Sequence, residues 1–314
     1  MTSPEISVVI PCFDGERTLR ATIESALGQT GVATEVIVVD DGSRDASLAV
    51  ARDYEPEARV VTGPNLGVSA ARNAGAALAK GAWIVFLDAD DLLADGTFAL
   101  RMELAGGAAA DAQVIACDWR EIDAAGGDAG RPIRSLDFAA LAEDAEAAIA
   151  AGAWAPTAAL TYRRGIVERI GGFRADLPVI QDARYFFDAA HAGARIAHAP
   201  HVGASYRIAA DSLSRRDPGR FWRDVLLNGC QIEALWCAAA ALTDPRRRVL
   251  AGIYDTAARA LLSAADPAYF EALARQRRLG VAPTLHSRVT GLVAGAFGLA
   301  AARRVAELAR AARP

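Results

Sequence analysis

Residues 83–91 read Trp-Ile-Val-Phe-Leu-Asp-Ala-Asp-Asp, an apolar run that stops abruptly in carboxylates at 88, 90 and 91. A short run of Ile, Val and aromatic residues reads as a strand buried on both faces, as in a parallel sheet covered by helices. Toward the N-terminus the same pattern recurs at Ile6–Ile10, Glu35–Val39 and Arg59–Thr62. Helical stretches lie between these strands, at Thr18–Gln29, Asp45–Tyr54 and Val68–Lys80, with Ser43 as a cap and Gly81 as a stop. The alternation predicts βαβ units with right-handed crossovers: an α/β fold with a mostly parallel sheet flanked by helices.

Toward the C-terminus a further strand is expected at Val114–Asp118, followed by a surface loop over Asp123–Arg134. The GGDAG core of that loop is a turn signal rather than a phosphate loop. Two short strands, Arg195–Ala199 and Gly203–Tyr206, close the α/β part. Beyond Asp217 the pattern turns helical to the end, with breaks at Asp244-Pro245, Asp266-Pro267 and Ala282-Pro283, and reads as a helical appendage.

Composition sets the outer bounds. A chain of 314 residues with 53% apolar content can bury a large core. The four cysteines (Cys12, Cys117, Cys230, Cys237) form no CxxC pair, and the first residues are Met-Thr-Ser-Pro-Glu rather than a basic and then apolar leader, so a reducing, cytoplasmic setting is expected. Cys230 and Cys237 have no histidine beside them in sequence, and all four read as buried free thiols. Lys80 is the single lysine, so arginine supplies nearly all positive charge. Residues 1–214 hold 18 basic and 30 acidic side chains, whereas 215–314 hold 16 basic and 8 acidic. The acidic first part argues against nucleic-acid binding and suits metal sites; the basic last part suits an anionic surface. The apolar stretch Val289–Ala302 carries glycines at 291, 295 and 298 and is too short to span a bilayer.

In an open α/β sheet, ligands bind beyond the carboxyl ends of the strands. Four polar stretches follow strands here: Pro11-Cys12-Phe13-Asp14-Gly15-Glu16, Asp40-Asp41-Gly42-Ser43, Asn65-Leu66-Gly67 and Asp88-Ala89-Asp90-Asp91. Two carboxylates one residue apart at a strand end can converge on a hard divalent cation, Mg2+ or Mn2+, that also takes water and substrate phosphates. Such a triplet also occurs in ordinary acidic loops; its place directly after an apolar strand singles it out. Asp40 and Asp41 follow the apolar run EVIVV, where an acceptor can meet the imide N–H of a uracil; a helix cap and turn is the plainer explanation. In Asn65–Gly75, Gly67 allows close backbone approach to a ligand, and Arg72 can reach a phosphate or hold the aspartates in place.

With IPCFDGE, VVDDGS, NLGVSAARNAG and FLDADD in this order and spacing, residues 5–215 resemble the family 2 inverting glycosyltransferases of GT-A fold. The resemblance implies a metal-dependent hexosyl transfer from a nucleotide-diphosphate sugar, a UDP-sugar, to an acceptor hydroxyl in glycan or polysaccharide assembly. Position by position, it implies that Pro11, Phe13 and Glu16 line the nucleotide pocket and that Asp40, with Asp41 and Gly67 beside it, contacts the base. Arg72 and Asp88 would support the diphosphate, with Asp88 and Asp90 holding Mn2+ or Mg2+. The implied catalytic base is Asp182, in Val179-Ile180-Gln181-Asp182 after Gly171-Gly172-Phe173, with Gln181 in place of the commoner acid. Inversion needs one carboxylate to take the acceptor proton. Apart from the family, Asp182 is an N-cap before ARYFFDAA.

One position departs from the family. Tyr206-Arg207-Ile208-Ala209 has alanine where the family carries a histidine that reaches the metal or diphosphate, which leaves Asp211, a water or the substrate to complete the site. His191, His198, His201 and His286 are expected to be structural or on the surface. The implied organisation is a glycosyltransferase domain over 1–215, with a nucleotide half to residue 120 and an acceptor half over 121–215, then a helical region over 216–314. The expected partners are the sugar nucleotide and a glycan, lipid-linked or other hydroxyl acceptor. Arginines 246–248, 275, 277–278 and 303–304 flank apolar helices that fit either the inner face of a membrane or a homodimer contact. Competing readings are a sugar nucleotidyltransferase, which lacks support because no GxGxR loop follows the first strand, and an impaired nucleotide-sugar-binding protein of the same fold.

Overall fold

The computed structural model describes residues 4–209, 213–282 and 284–311. Asp211 and Ser212, and the side chain of His286, lie outside the described residues. Its strands are β1 (Ile6–Cys12), β2 (Thr34–Asp40), β3 (Ala58–Thr62), β4 (Trp83–Phe86), β5 (Leu92–Leu93), β6 (Val114–Ile122), β7 (Leu160–Arg163) and β8 (Ile196–Arg207). Its helices are α1 (Leu19–Leu27), α2 (Ser47–Arg52), α3 (Val68–Leu78), α4 (Thr97–Gly106), α5 (Phe138–Ala150), α6 (Arg164–Ile170), α7 (Gln181–His191), α8 (Leu213–Arg216), α9 (Pro218–Ala238), α10 (Asp244–Ser263), α11 (Tyr269–Arg278) and α12 (Leu285–Ala311).

All eight strands form one sheet in the order β3-β2-β1-β4-β7-β6-β8-β5. β3, β2, β1 and β4 run parallel, so the ends of β1, β2 and β4 emerge on one edge. β7 then enters antiparallel between β4 and β6, while β6 pairs parallel with β8 and β5 antiparallel with β8. The parallel expectation therefore describes the first half, and the second half is mixed. β8 is one strand rather than two pieces; a register shift opposite Cys117–Trp119 accounts for the break in its pattern.

Every residue of β1 is buried, as a strand covered on both faces requires. α3 lies close against it, and Gly75 is the point of closest approach. A Cβ there would collide with Cγ1 of Val9 and lie 3.3 Å from Cγ2 of Val39. The expected cap Ser43 is corrected: α2 starts at Ser47, and the Ser43 hydroxyl instead accepts the backbone N–H of Asp14 at 3.1 Å. The cysteine expectation holds in part. All four are free, and Cys12 and Cys117 are buried, but Cys237 is exposed because its position falls on the outer face of α9.

By its internal contacts the chain divides into Met1–Glu146 with Ala153–Ala210, and Ala147–Gly152 with Asp211–Pro314. The second unit holds α8 to α12. In it Asp217 caps α9 by accepting the N–H of Arg220 at 2.9 Å, with Pro218 at the first helical position. A buried cluster forms around Asp255, which accepts Thr284 at 3.0 Å and also the Ser287 hydroxyl.

Gly75→Ala tests the α3–β1 approach. In an open helix the change would stabilise by about 1 kcal/mol. Against Val9 it is expected to destabilise by about 1–3 kcal/mol, read as a lower urea midpoint with unchanged slope.

Candidate active site

At the end of β1 the chain turns outward. Pro11 is buried within the strand, whereas the Phe13 ring is 41% exposed, with the Arg44 guanidinium 5.0 Å from its centroid. Asp14 sits in the left-handed region at φ 52° and accepts the backbone N–H of Arg44 at 2.8 Å and its Nε at 3.0 Å. Those bonds hold the Asp14 carboxyl below its ordinary range. Glu16 accepts the N–H of Ala46 at 3.0 Å, tying the β1 end to the start of α2.

Asp40 and Asp41 are both buried, and both are used by the protein. Asp40 accepts the Thr62 hydroxyl at 2.6 Å and the Ser43 N–H at 3.2 Å. Asp41 accepts the N–H groups of Leu66 and Gly67, each at 2.8 Å, and so fixes the turn that starts α3. Gly67, at φ 93°, supplies the backbone conformation that turn needs.

The carboxylates after β4 are assigned three different surroundings. Asp88 pairs with the buried Arg72 and keeps 34% of its side chain exposed. Asp90 remains half-exposed, and the Arg207 Nε holds its carbonyl at 2.7 Å. Asp91 is buried and accepts the Arg207 N–H at 2.8 Å; burial first, then the charges of Asp90 and Asp88, push its carboxyl well up. The Thr22 hydroxyl closes the turn on the carbonyls of Ala89 and Asp91, at 3.0 and 2.9 Å. No group of three or more His, Cys, Asp or Glu able to hold a metal occurs among the described residues. Asp88 and Asp90 present carboxylate oxygens at this turn, donors of the kind that a hard divalent cation takes.

Arg72 is 2% exposed. Its Nε and Nη1 have no hydrogen-bond partner among the described residues, and its guanidinium lies 5.0 Å from the Phe173 ring centroid. Its ion pair ties it to Asp88 after β4. Its charge acts on Asp182 as well as Asp88.

Asp182 stands in the first turn of α7. Its Oδ2 accepts the indole N–H of Trp154 at 2.8 Å. Burial raises its carboxyl; the Arg72 charge and the Trp154 bond pull it back down. The Tyr206 phenol reports the convergence of these groups. It is raised by burial and then by the charges of Asp91, Asp182, Asp88 and Asp90. Tyr206 meets Trp154 edge to face at 5.3 Å, and Trp154 meets Trp119 the same way at 6.4 Å.

The loop leading to Asp182 is tied to α3. Asn73 accepts the Phe173 N–H at 2.7 Å and donates to its carbonyl at 3.0 Å, and Ser69 donates to the Arg174 carbonyl at 2.9 Å. Gly172, at φ 114°, would bring a Cβ to 2.8 Å from the Asn73 Oδ1, so this approach needs glycine.

Two participants were not assigned roles from sequence. Trp154 stands alone in an Ala- and Gly-rich stretch that gives no local signal, and Arg207 is visible only as part of the Tyr206-Arg207 pair. The described histidine side chains have structural partners: His191 with Glu146 at 3.1 Å, His198 with Asp118 at 2.9 Å, and His201 with Thr97 at 2.8 Å.

Residues 7–170 match the family described as Glycosyl transferase family 2. The chain is 32% identical over 228 residues to the succinoglycan biosynthesis protein ExoO of Rhizobium meliloti (strain 1021), covering 68% of this chain and 63% of that protein. It therefore spans less than two thirds of that relative's length. TarS from S. aureus, crystallised with UDP, matches with a TM-score of 0.70 at 17% identity, over 98% of this chain and 92% of that one. The mannosyltransferase PcManGT from Pyrobaculum calidifontis, in complex with GDP-Man and Mn2+, matches with a TM-score of 0.57 at 19% identity, over 98% and 88%. The chain belongs to glycosyl transferase family 2, and its first unit has the GT-A fold.

Asp41→Ala would leave the N–H groups of Leu66 and Gly67 without their acceptor. A loss of about 1–3 kcal/mol in folding stability is expected, measured by denaturant unfolding.

Proposed function

We propose that the chain is an inverting glycosyltransferase that moves a sugar from a nucleotide-diphosphate donor, a UDP-sugar, to an acceptor hydroxyl in polysaccharide assembly. The observation that carries this reading is the convergence of Asp88 and Asp90 with Asp182 around one buried arginine and one tyrosine. The Arg72 charge acts on both, so one carboxylate site suits a cation and the other a proton. The names of similar proteins point the same way: TarS is crystallised with UDP and with UDP-GlcNAc, PcManGT with GDP-Man and Mn2+, and ExoO is named for succinoglycan biosynthesis. The free thiols fit a reducing, cytoplasmic setting.

In this mechanism Phe13 offers an aromatic face to the base, and Asp40 keeps unused lone pairs for its N–H. Asp41 and Gly67 set the loop along which the nucleotide lies. Asp182 takes the proton of the acceptor hydroxyl as its oxygen attacks the anomeric carbon from the face opposite the nucleotide. The bond from that carbon to the β-phosphate oxygen breaks, and the nucleoside diphosphate leaves with the electron pair. A divalent cation on Asp88 and Asp90 would neutralise the charge developing on that leaving group. Trp154 holds the Asp182 carboxylate through Oδ2.

Asp182→Asn is expected to lower kcat by at least about 100-fold with donor KM nearly unchanged, since the base acts only in the chemical step. Asp90→Ala, by contrast, should impair both donor binding and rate. Both are read by nucleoside diphosphate release from UDP-sugars with Mn2+. Lost donor affinity with retained turnover in Asp182→Asn would overturn the assignment of the base, and pyrophosphate release would identify a nucleotidyltransferase instead. A wild type that binds donor but releases nothing would be a binding protein.

The pH profile gives an independent check. Asp182 must be ionised to act, and burial raises its carboxyl, so kcat/KM should fall on the acid side at a pH above the ordinary carboxylate value of about 4. Trp154→Phe removes a bond that favours the ionised form, so this acid limb should move to higher pH. A lower rate with an unmoved limb would reduce Trp154 to a packing role.

A further inference from the structure

We infer that α12 is an interfacial helix by which the chain lies on an anionic lipid surface. The inference is independent of the proposed reaction and rests on an inversion of the usual helix pattern. A surface helix ordinarily turns its large apolar residues inward. In α12 the inward positions are small or polar, at Ser287, Thr290, Ala294, Ala302 and Ala306. Thr290 accepts the Tyr269 hydroxyl at 3.2 Å, and Gly291 lets α12 approach Leu273 of α11 closely. The large apolar side chains point outward instead: Leu292 is 73% exposed, Phe297 77% and Leu308 70%.

Two alternatives are disfavoured on physical grounds. The stretch Ser287–Arg310 is long and apolar enough to cross a membrane by length and composition, yet Gly298, at φ 81° and ψ 172°, divides the helix. Each half is shorter than the roughly 20 continuous residues a span requires. A second copy of the chain on this face would bring the exposed arginines 288, 303 and 304 against their own counterparts. A surface of anionic headgroups accepts both features at once, with leucine and phenylalanine entering the acyl boundary and guanidinium groups meeting phosphates. The excess of basic over acidic residues in 215–314 agrees with that charge.

The test uses the full chain and vesicles of phosphatidylcholine, alone or mixed with phosphatidylglycerol. Co-sedimentation is expected with the mixed vesicles at low salt and little with the neutral ones. The double variant Leu292→Ser, Phe297→Ser should weaken partitioning by about tenfold or more. Arg303→Gln with Arg304→Gln should weaken it about fivefold per charge. Leu100→Ser, which removes an exposed leucine from α4, should leave it unchanged. Circular dichroism checks that each variant keeps its fold. Failure to sediment with anionic vesicles, or sedimentation that the Leu292 and Phe297 changes do not reduce, would overturn the inference. So would a dimer in solution that those same changes dissociate without any lipid binding.

Discussion

One buried arginine, Arg72, organises the carboxyl edge of the sheet. Arg72 is almost wholly removed from water, an arrangement that costs several kcal/mol unless the charge is paired and cushioned. Asp88 supplies the pair, and the Phe173 ring supplies the cushion. Phe173 in turn stacks on Tyr185 at 3.8 Å, and Phe86 of β4 meets both edge to face, at 4.7 and 5.6 Å. The aromatic core thereby fixes the guanidinium, and the guanidinium fixes the carboxylate after β4. Because arginine stays charged throughout the accessible pH range, its pull on Asp182 is constant. That pull opposes the burial that raises the Asp182 carboxyl.

The same helix that carries Arg72 also joins the two halves of the site. α3 begins at a turn held by Asp41, packs on β1 through Gly75, and grips the Gly172–Arg174 loop with Asn73 and Ser69. One helix thus starts at the Asp41 turn on one side and holds the loop leading to Asp182 on the other. The small residues that read in sequence as close packing do serve that purpose. The polar residues among them, Ser69, Asn73 and Arg72, do the connecting.

The parts that were legible in sequence are those with a local cause. Strands β1, β2 and β4 are short apolar runs that are largely buried, and the polar residues at their ends stand out because the apolar run stops there; β3, at the sheet edge, is mostly part-exposed. What escaped depends on distant partners. β7 has only four residues and owes its place to β4 and β6 on either side. β8 looks like two strands because a register shift interrupts its alternation. Arg101, fully buried, finds its partners at Thr161, Cys117 and Ala158, far along the chain, so nothing near it announces a core arginine. Trp154 reaches Asp182 across 28 positions for the same reason.

The change at Ala209 has a consequence for how donor and cation meet. With histidine there, a cation would have an imidazole in addition to carboxylates and would bind to the free protein more readily. Here Asp91 is turned away, buried on the Arg207 N–H and pushed toward its neutral form, and Asp88 is partly neutralised by Arg72. Asp90 stays part-exposed beside Asp88 at the same turn. The diphosphate brings the missing oxygens and negative charge itself. On the proposed reading, cation and sugar nucleotide therefore bind cooperatively: each has its highest affinity for the protein when the other is present. The binding energy of the nucleotide half then assembles the site that stabilises the leaving group, and a cation alone would do little to order it.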